Sequence, residues 1–263
     1  MIATFAPVIA AAVLGGSSAG MLGVLVAGLR MPFLAVASAH AALAGAVFGT
    51  LIGAPSGPSA FAGALAGAAL LGILVRRRDV DPGAALGTLF SIMLGLAFLG
   101  MALSPGPKSE ALSLMWGSLL FVTPAQLVAM GAVLAVLLAF VVALDKELRL
   151  VLYSRELAAA TIPEGLVFSG VLLLAASVIT VNLQTVGGLL LYSLISNPAL
   201  AALRLARSYG AALALGSALG ALSAFVGFLA AWLLDLPAGA CIVLASSAVV
   251  GLALAISRAT EGR

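Results

Sequence analysis

The chain has 263 residues, 63% of them hydrophobic and only 8% charged, with a formal net charge of +3. Soluble domains carry about 25% charged residues, so this composition cannot cover a water-facing surface and excludes a soluble globular protein. A single cysteine, Cys241, excludes an internal disulfide and a cysteine-cluster metal site.

The apolar runs are continuous and longer than the alternating ten-residue strands of a membrane barrel, which points to helices. A span needs about 20 mostly apolar residues, and such stretches fall near 5–28, 33–53, 59–75, 84–103, 123–144, 166–184, 187–204, 211–232 and 238–257. The first run has no basic region before it and no small-residue cleavage site, and reads as a retained helix. It carries Gly-Gly-Ser-Ser-Ala-Gly at 15–20, a pattern that lets helix backbones approach closely in lipid. The second run carries His40, the only histidine. The segment 111–121 is too short to cross and reads as re-entrant or interfacial, with Trp116 suited to an interface. The run at 187–204 follows the preceding one without a loop and contains Gly187, Gly188 and Pro198, so it is expected to be broken or to cross incompletely. The expected fold is therefore all-α: a polytopic transmembrane bundle of eight or nine spans with broken or re-entrant helices.

If nine helices alternate, Arg30, Arg76, Arg77, Arg78, Lys146, Arg149, Arg155, Arg204, Arg207, Arg258 and Arg263 share one side, and only Lys108 lies on the other. By the positive-inside rule the first side is cytoplasmic, with the N-terminus outside and the C-terminus inside; an eight-span count would move one end. These charges sit in short loops between spans and give no reason to expect nucleic acid as a partner. The longest polar connection, 145–165, is amphipathic. It mixes Leu148, Val151, Leu152, Leu157 and Ile162 with Asp145, Lys146, Glu147, Arg149, Arg155 and Glu156. It reads either as a solvated loop with an interfacial helix or as a short helix that docks on a cytoplasmic partner. "RRRD" at 76–79 reads as an orientation anchor, and Asp235 in Asp-Leu-Pro-Ala as a helix start.

Six segments in order resemble a known family. They are "RMPFLAVASAHAALAGAVFG" (30–49), "DPGAALGTLFSIMLGLAFLG" (81–100), "LMWGSLLFVTPAQL" (114–127), "YSRELAAATIPEG" (153–165), "VGGLLLYSLISNPALAALRLA" (186–206) and "LDLPAGACIVL" (234–244). Together they resemble the ABC-3 family, the integral membrane permeases of bacterial zinc, manganese and iron ABC importers. The resemblance implies a single permease domain over 1–263, working as a homodimeric or pseudo-dimeric channel, with a second copy of itself as the expected partner, in the bacterial cytoplasmic membrane. It implies a cytoplasmic ATPase subunit as motor and an extracytoplasmic metal-binding protein that delivers the ion. No cofactor is expected to stay bound; the divalent metal ion, zinc, manganese or iron, is cargo. The chain has no Gly-x-x-x-x-Gly-Lys-Ser/Thr loop, so it is not expected to hydrolyse ATP or to act as an enzyme. The sequence departs from the family at Val36, where members commonly carry Asp one helical turn before the histidine. It departs again at Thr161, where a Gly is usual, and at Ser196-Asn197, where an apolar pair is usual.

The candidate site residues follow. His40 is either an imidazole bonded to a backbone or serine partner, or a metal ligand; an imidazole suits Zn²⁺, Fe²⁺ and Mn²⁺ better than Mg²⁺. Asn182 and Gln184 stand beside the Gly187–Gly188 break. They either line a transport pathway or supply interfacial polarity. Ser196, Asn197 and Pro198 either free a carbonyl for an ion path or serve only packing. The segment Arg155, Glu156, Leu157, Ala158, Ala159, Ala160, Thr161, Ile162, Pro163 and Glu164 matches the family's cytoplasmic loop, which couples the permease to the ATPase. Three alternatives stand beside the metal importer. One is a permease for a metal chelate or small organic nutrient, motivated by Val36. Another is a secondary transporter, which would need a coupling acid that no span carries in its middle. The third is an intramembrane protease pairing Ser17 or Ser18 with His40, although helix packing accounts for that Gly/Ser run more simply.

Overall fold

The computed structural model describes residues 2–76, 80–104, 117 and 119–261. Among them are eleven α-helices, joined by turns and one 3₁₀ turn at Leu119–Phe121. In chain order the helices are α1 (Ile2–Gly28), α2 (Leu34–Leu51), α3 (Ser56–Arg76), α4 (Pro82–Leu103), α5 (Pro124–Ala143), α6 (Asp145–Tyr153), α7 (Arg155–Thr161), α8 (Glu164–Val186), α9 (Gly188–Leu205), α10 (Tyr209–Leu234) and α11 (Ala238–Glu261). Eight of them are long and apolar enough to cross a membrane, and α9 is the shorter apolar helix beside them. This agrees with the eight or nine spans expected from sequence. At 1.5 Å per residue the 18 residues of α9 reach about 27 Å, less than the roughly 30 Å of a hydrocarbon core.

Local chemistry sets several helix starts. Asp81 accepts the Ala84 amide at 2.9 Å, with Pro82 in the first turn of α4. Thr123 and Gln126 form a reciprocal capping box ahead of α5. Ser154 caps α7 and Ser208 caps α10. Asp235 behaves differently from its expected role as a helix start: it closes α10 in a left-handed conformation (φ 53°), its amide donating to Ala231 O. The polar connection also differs from a single short helix. It forms two, α6 and α7, with Ser154 at the break.

Small residues bring the long helices together. Gly16 and Gly20 of α1 lie against Gly220 and Gly216 of α10, so closely that a Cβ on any of them would run into the facing backbone. Two small-xxx-small motifs thus face each other in antiparallel helices. Gly45 and Gly63 make the same kind of contact between α2 and α3. The helices α1, α2 and α8 are mostly buried and form the centre; α4, α5 and α11 are mostly exposed.

One end of the bundle is basic. There Gly28, at the end of α1, lies against Leu152 of α6, and the Arg149 guanidinium sits 5.5 Å over the Tyr209 ring at the start of α10. At the other end Phe5 packs on Phe228 and Trp232. Since α10 runs against α1, and α11 against α10 through Gly227 and Ile242, Ile2 and Glu261 lie at opposite ends. Arg30, Lys146, Arg149, Arg155, Arg204, Arg207 and Arg258 gather at the basic end, as the alternating arrangement requires. Lys108, Trp116, Arg77, Arg78, Asp79 and Arg263 lie outside the described residues, as does most of the segment 111–121.

Candidate functional site

His40 lies about a third of the way along α2 from its basic end, half-buried on the same face as Val36. Its Nδ1 is 2.9 Å from the Val36 carbonyl oxygen. A carbonyl can only accept, so Nδ1 carries the proton and donates, and the lone pair stays on Nε2. Metal-binding histidines are oriented in this way, one ring nitrogen tied to a carbonyl and the other left for the ion. The ring stands edge-on to Phe90 of α4, with centroids 4.9 Å apart, which fixes its plane. Among the described residues no group of three His, Cys, Asp or Glu is gathered. The chemistry on offer is one imidazole per chain, with neutral oxygens elsewhere in the bundle.

The break between α8 and α9 falls inside the bundle. Asn182 and Val186 lie against Gly15, halfway along α1, and Gly188 lies near Ala39 of α2. Gly187 links the helices with φ 91°, a conformation that favours glycine, and its amide closes α8 on Leu183 O at 3.0 Å. Asn182 is fully buried, so it does not supply interfacial polarity. Its Nδ2 donates to Ser18 Oγ at 3.1 Å and to Val178 O at 2.7 Å. Ser18 in turn donates to Gly15 O, and Thr185 donates to Asn182 O. Among the described residues Asn182 Oδ1 is buried without a hydrogen-bond partner. Gln184 is half-buried on the other side of α8 and accepts from Gln126 Nε2 at 3.4 Å, close to Gly57 at the start of α3. Asn182 and Gln184 therefore both stand just before the break on α8 but belong to separate clusters.

A third polar cluster lies on α9 and α11. Asn197 Nδ2 donates to Ser246 Oγ at 3.0 Å and Ser247 Oγ at 3.2 Å. Pro198, inside α9, has no amide hydrogen to give to Leu194 O, one helical turn back. Ser196 is half-buried beside them. The structure thus keeps Ser196, Asn197 and Pro198 together, at a different position from His40 and Asn182.

The segment 155–164 forms α7, the turn at Ile162–Pro163 and the first residue of α8. Arg155 Nε is 2.6 Å from Glu164 Oε1, and its guanidinium lies 4.0 Å over the ring of Phe168. Ala158 is buried, while Glu156, Leu157, Ala159, Ala160, Thr161 and Pro163 are exposed. Several partners were not singled out from sequence: Gln126, Phe168, Ser246, Ser247, and Ser18 as a partner of Asn182 instead of a nucleophile for His40. Each is a polar or aromatic residue in an apolar run, but its partner lies 49 to 164 residues away in the chain for Ser246 and Ser18. No local pattern pairs residues at such distances. The reading of Ser18 as a nucleophile for His40 finds no bond between them, since each is tied to other groups.

The arrangement is shared with known proteins. The family model described as the ABC 3 transport family matches residues 1–257. The chain is 28% identical over 249 residues to the "Manganese transport system membrane protein MntC" of Halalkalibacterium halodurans, covering 94% of this chain and 85% of that one. It is 26% identical over 223 residues to the "Probable iron transport system membrane protein" of Haemophilus influenzae, covering 84% and 82%. Among solved structures it is similar in fold to PsaBC from Streptococcus pneumoniae in complex with Fab. The TM-score is 0.82 at 21% identity, over 95% of this chain and 90% of that one. With the family model spanning nearly its whole length and the helices in the same arrangement, this chain belongs to the ABC 3 transport family of multi-pass membrane proteins.

Proposed function

We propose that this chain is the membrane-spanning subunit of an ABC importer for a divalent transition metal, with residues 1–263 forming one permease domain. The names of its relatives, manganese and iron transport proteins, support the cargo. A second copy completes the pathway, a separate cytoplasmic ATPase drives it, and an extracytoplasmic binding protein delivers the ion. The basic end faces the cytoplasm of a bacterial cell, by the positive-inside rule. Segment 155–164 at that end transmits the work of the ATPase.

The observation that carries the metal reading is His40, whose Nδ1 is committed to Val36 O while Nε2 keeps its lone pair. Two such imidazoles, one from each copy, would hold a borderline cation such as Mn²⁺, Fe²⁺ or Zn²⁺ loosely. Loose binding suits transport, because the ion must leave as readily as it enters. Asn182, Gln184, Ser196, Asn197 and Pro198 then supply neutral oxygens and a freed carbonyl along the route. Val36, apolar where the family commonly carries an acid, favours a second reading in which the cargo is a metal chelate.

Isotope uptake tests both. In a cell lacking the gene, His40→Ala is expected to lower uptake of free metal by about tenfold or more relative to the wild-type chain. Unchanged uptake removes His40 from the pathway. Uptake of the chelated isotope at the expense of the free one transfers the assignment to the second reading.

A further inference from the structure

Among the described residues two ion pairs stand at the basic end, and they differ in kind. Asp145 and Arg149 are one helical turn apart on α6, with side chains 41% and 52% exposed. Such an exposed pair within one helix contributes little; beyond α6, Arg149 reaches the Tyr209 ring, at 5.5 Å. Arg155 and Glu164 belong to different helices, with side chains 32% and 13% exposed, and their contact is 2.6 Å. Arg155 is the first residue of α7 and Glu164 the first of α8, so the pair closes the turn at Ile162–Pro163 from its inner side. The Arg155 guanidinium is held a second time, 4.0 Å above the Phe168 ring, one turn further along α8. Phe168 is itself 1% exposed. A planar guanidinium can pair with a carboxylate and stack on a ring at once, which an ammonium does less well.

The outward side of the same segment is different. Tyr153 is 83% and Leu157 53% exposed, and Ala159, Ala160 and Thr161 are exposed beside them. Contact with another protein is therefore available through Tyr153, Leu157, Ala159 and Ala160. Arg155, Ala158 and Glu164 face back into the bundle. From Glu164, α8 runs without interruption to Asn182, about 27 Å away at 1.5 Å per residue. There it is tied to α1 through Ser18 and ends at Gly187, where α9 begins.

We propose that Arg155 and Glu164 are positioning residues that clip α7 rigidly to α8, so that displacement of α7 becomes tilt of α8, and that neither side chain meets the ATPase. The role in transport rests on the importer reading above; the rigidity of the elbow does not. With the clip intact, a push on the exposed face of α7 is carried along α8 to the break at Gly187. With the clip opened, the turn at Ile162–Pro163 absorbs the push.

Two measurements test this. The first needs the chain alone. Spin labels on Glu156→Cys and Leu166→Cys, in a Cys241→Ser background, report the distance between α7 and α8. Arg155→Ala and Glu164→Gln are each expected to broaden a narrow distance distribution at least twofold, and the double variant no further. Arg155→Lys is expected to fall between. A distribution unchanged by Arg155→Ala overturns the clip. The second uses the full transporter in lipid vesicles with its ATPase subunit, reading Mn²⁺ ions moved per ATP hydrolysed. Arg155→Ala is expected to keep the ATPase bound and to lower that ratio at least fivefold. Leu157→Glu is expected to release the ATPase. Loss of the ATPase from Arg155→Ala overturns the proposal, as does an unchanged ratio. If the wild-type chain binds no ATPase, the importer reading fails instead, and the spin-label result still decides the clip.

Discussion

Gly15 shows how tightly the centre of the bundle is fitted. A Cβ there would lie 2.9 Å from Asn182 Oδ1, 3.1 Å from Met130 Cε and 3.2 Å from Val186 Cγ2. Side chains of two neighbouring helices crowd onto α1 at that point, so Gly15→Ala forces the Asn182 amide, which is tied to Ser18 and Val178, to shift or the packing around it to give. Overpacking of this kind costs about 1–3 kcal/mol, expected as a lower unfolding temperature of the detergent-solubilised protein. Among the described residues Asn182 Oδ1 has no donor there, and an unmade hydrogen bond to a buried amide oxygen costs stability. His40 was easier to read. A lone imidazole in an apolar run asks for a partner, and the carbonyl one turn back, at Val36, is within reach of any helical histidine. What holds Asn182 could not be read the same way, because Ser18 is 164 residues distant and only the packing of α1 against α8 brings it close.

Among elements, α1 and α10 have the most demanding contact. Gly16 and Gly20 face Gly220 and Gly216, and the backbones touch. In lipid nothing drives helices together except packing and hydrogen bonds, so a branched side chain here should part the pair. Gly20→Val or Gly216→Val is expected to abolish recovery of folded, monodisperse protein, whereas Gly251→Val, at a glycine with nothing within 4 Å, is expected to be tolerated. Comparing the three by size-exclusion profile after solubilisation checks this; equal profiles would mean that the close approach does not hold the fold. The two Gly-xxx-Gly patterns are visible in sequence, but not that each is the other's partner. The interruption between α8 and α9 was legible as Gly187 and Gly188 between two runs. That it falls halfway along α1, instead of beyond the bundle, follows from how α8 is seated.

For the whole molecule, the contacts put Ile2 and Glu261 at opposite ends and gather the described basic residues at one of them. Single cysteines placed in a Cys241→Ser background at Ile52, 83% exposed in the turn after α2, and at Tyr153, also 83% exposed, should therefore label from opposite sides of the membrane. An impermeant thiol reagent on intact cells is expected to reach Ile52→Cys and not Tyr153→Cys. Labelling of both from one side would place α2 and α6 wrongly. The exposed faces of α4, α5 and α11 are apolar enough for lipid or for a second copy.

The sequence by itself determined the solvent this chain lives in, the helical class, the rhythm of the spans and the family it belongs to. The first three follow from composition and from runs of about 20 residues, which are local quantities; the family follows from the resemblance of six segments in order, among them 30–49 and 186–206. It also named the residues most expensive to keep in lipid: His40, Asn182, Gln184 and Asn197. Only the tertiary structure decided what those residues touch. It separated Asn182 from Gln184 although they are neighbours on one helix, gave Asn197 its two serines, and turned Arg155 inward to Glu164 and Phe168. The physical reason is that a polar group in a membrane must find its partner inside the protein, and which partner it finds depends on how distant helices pack.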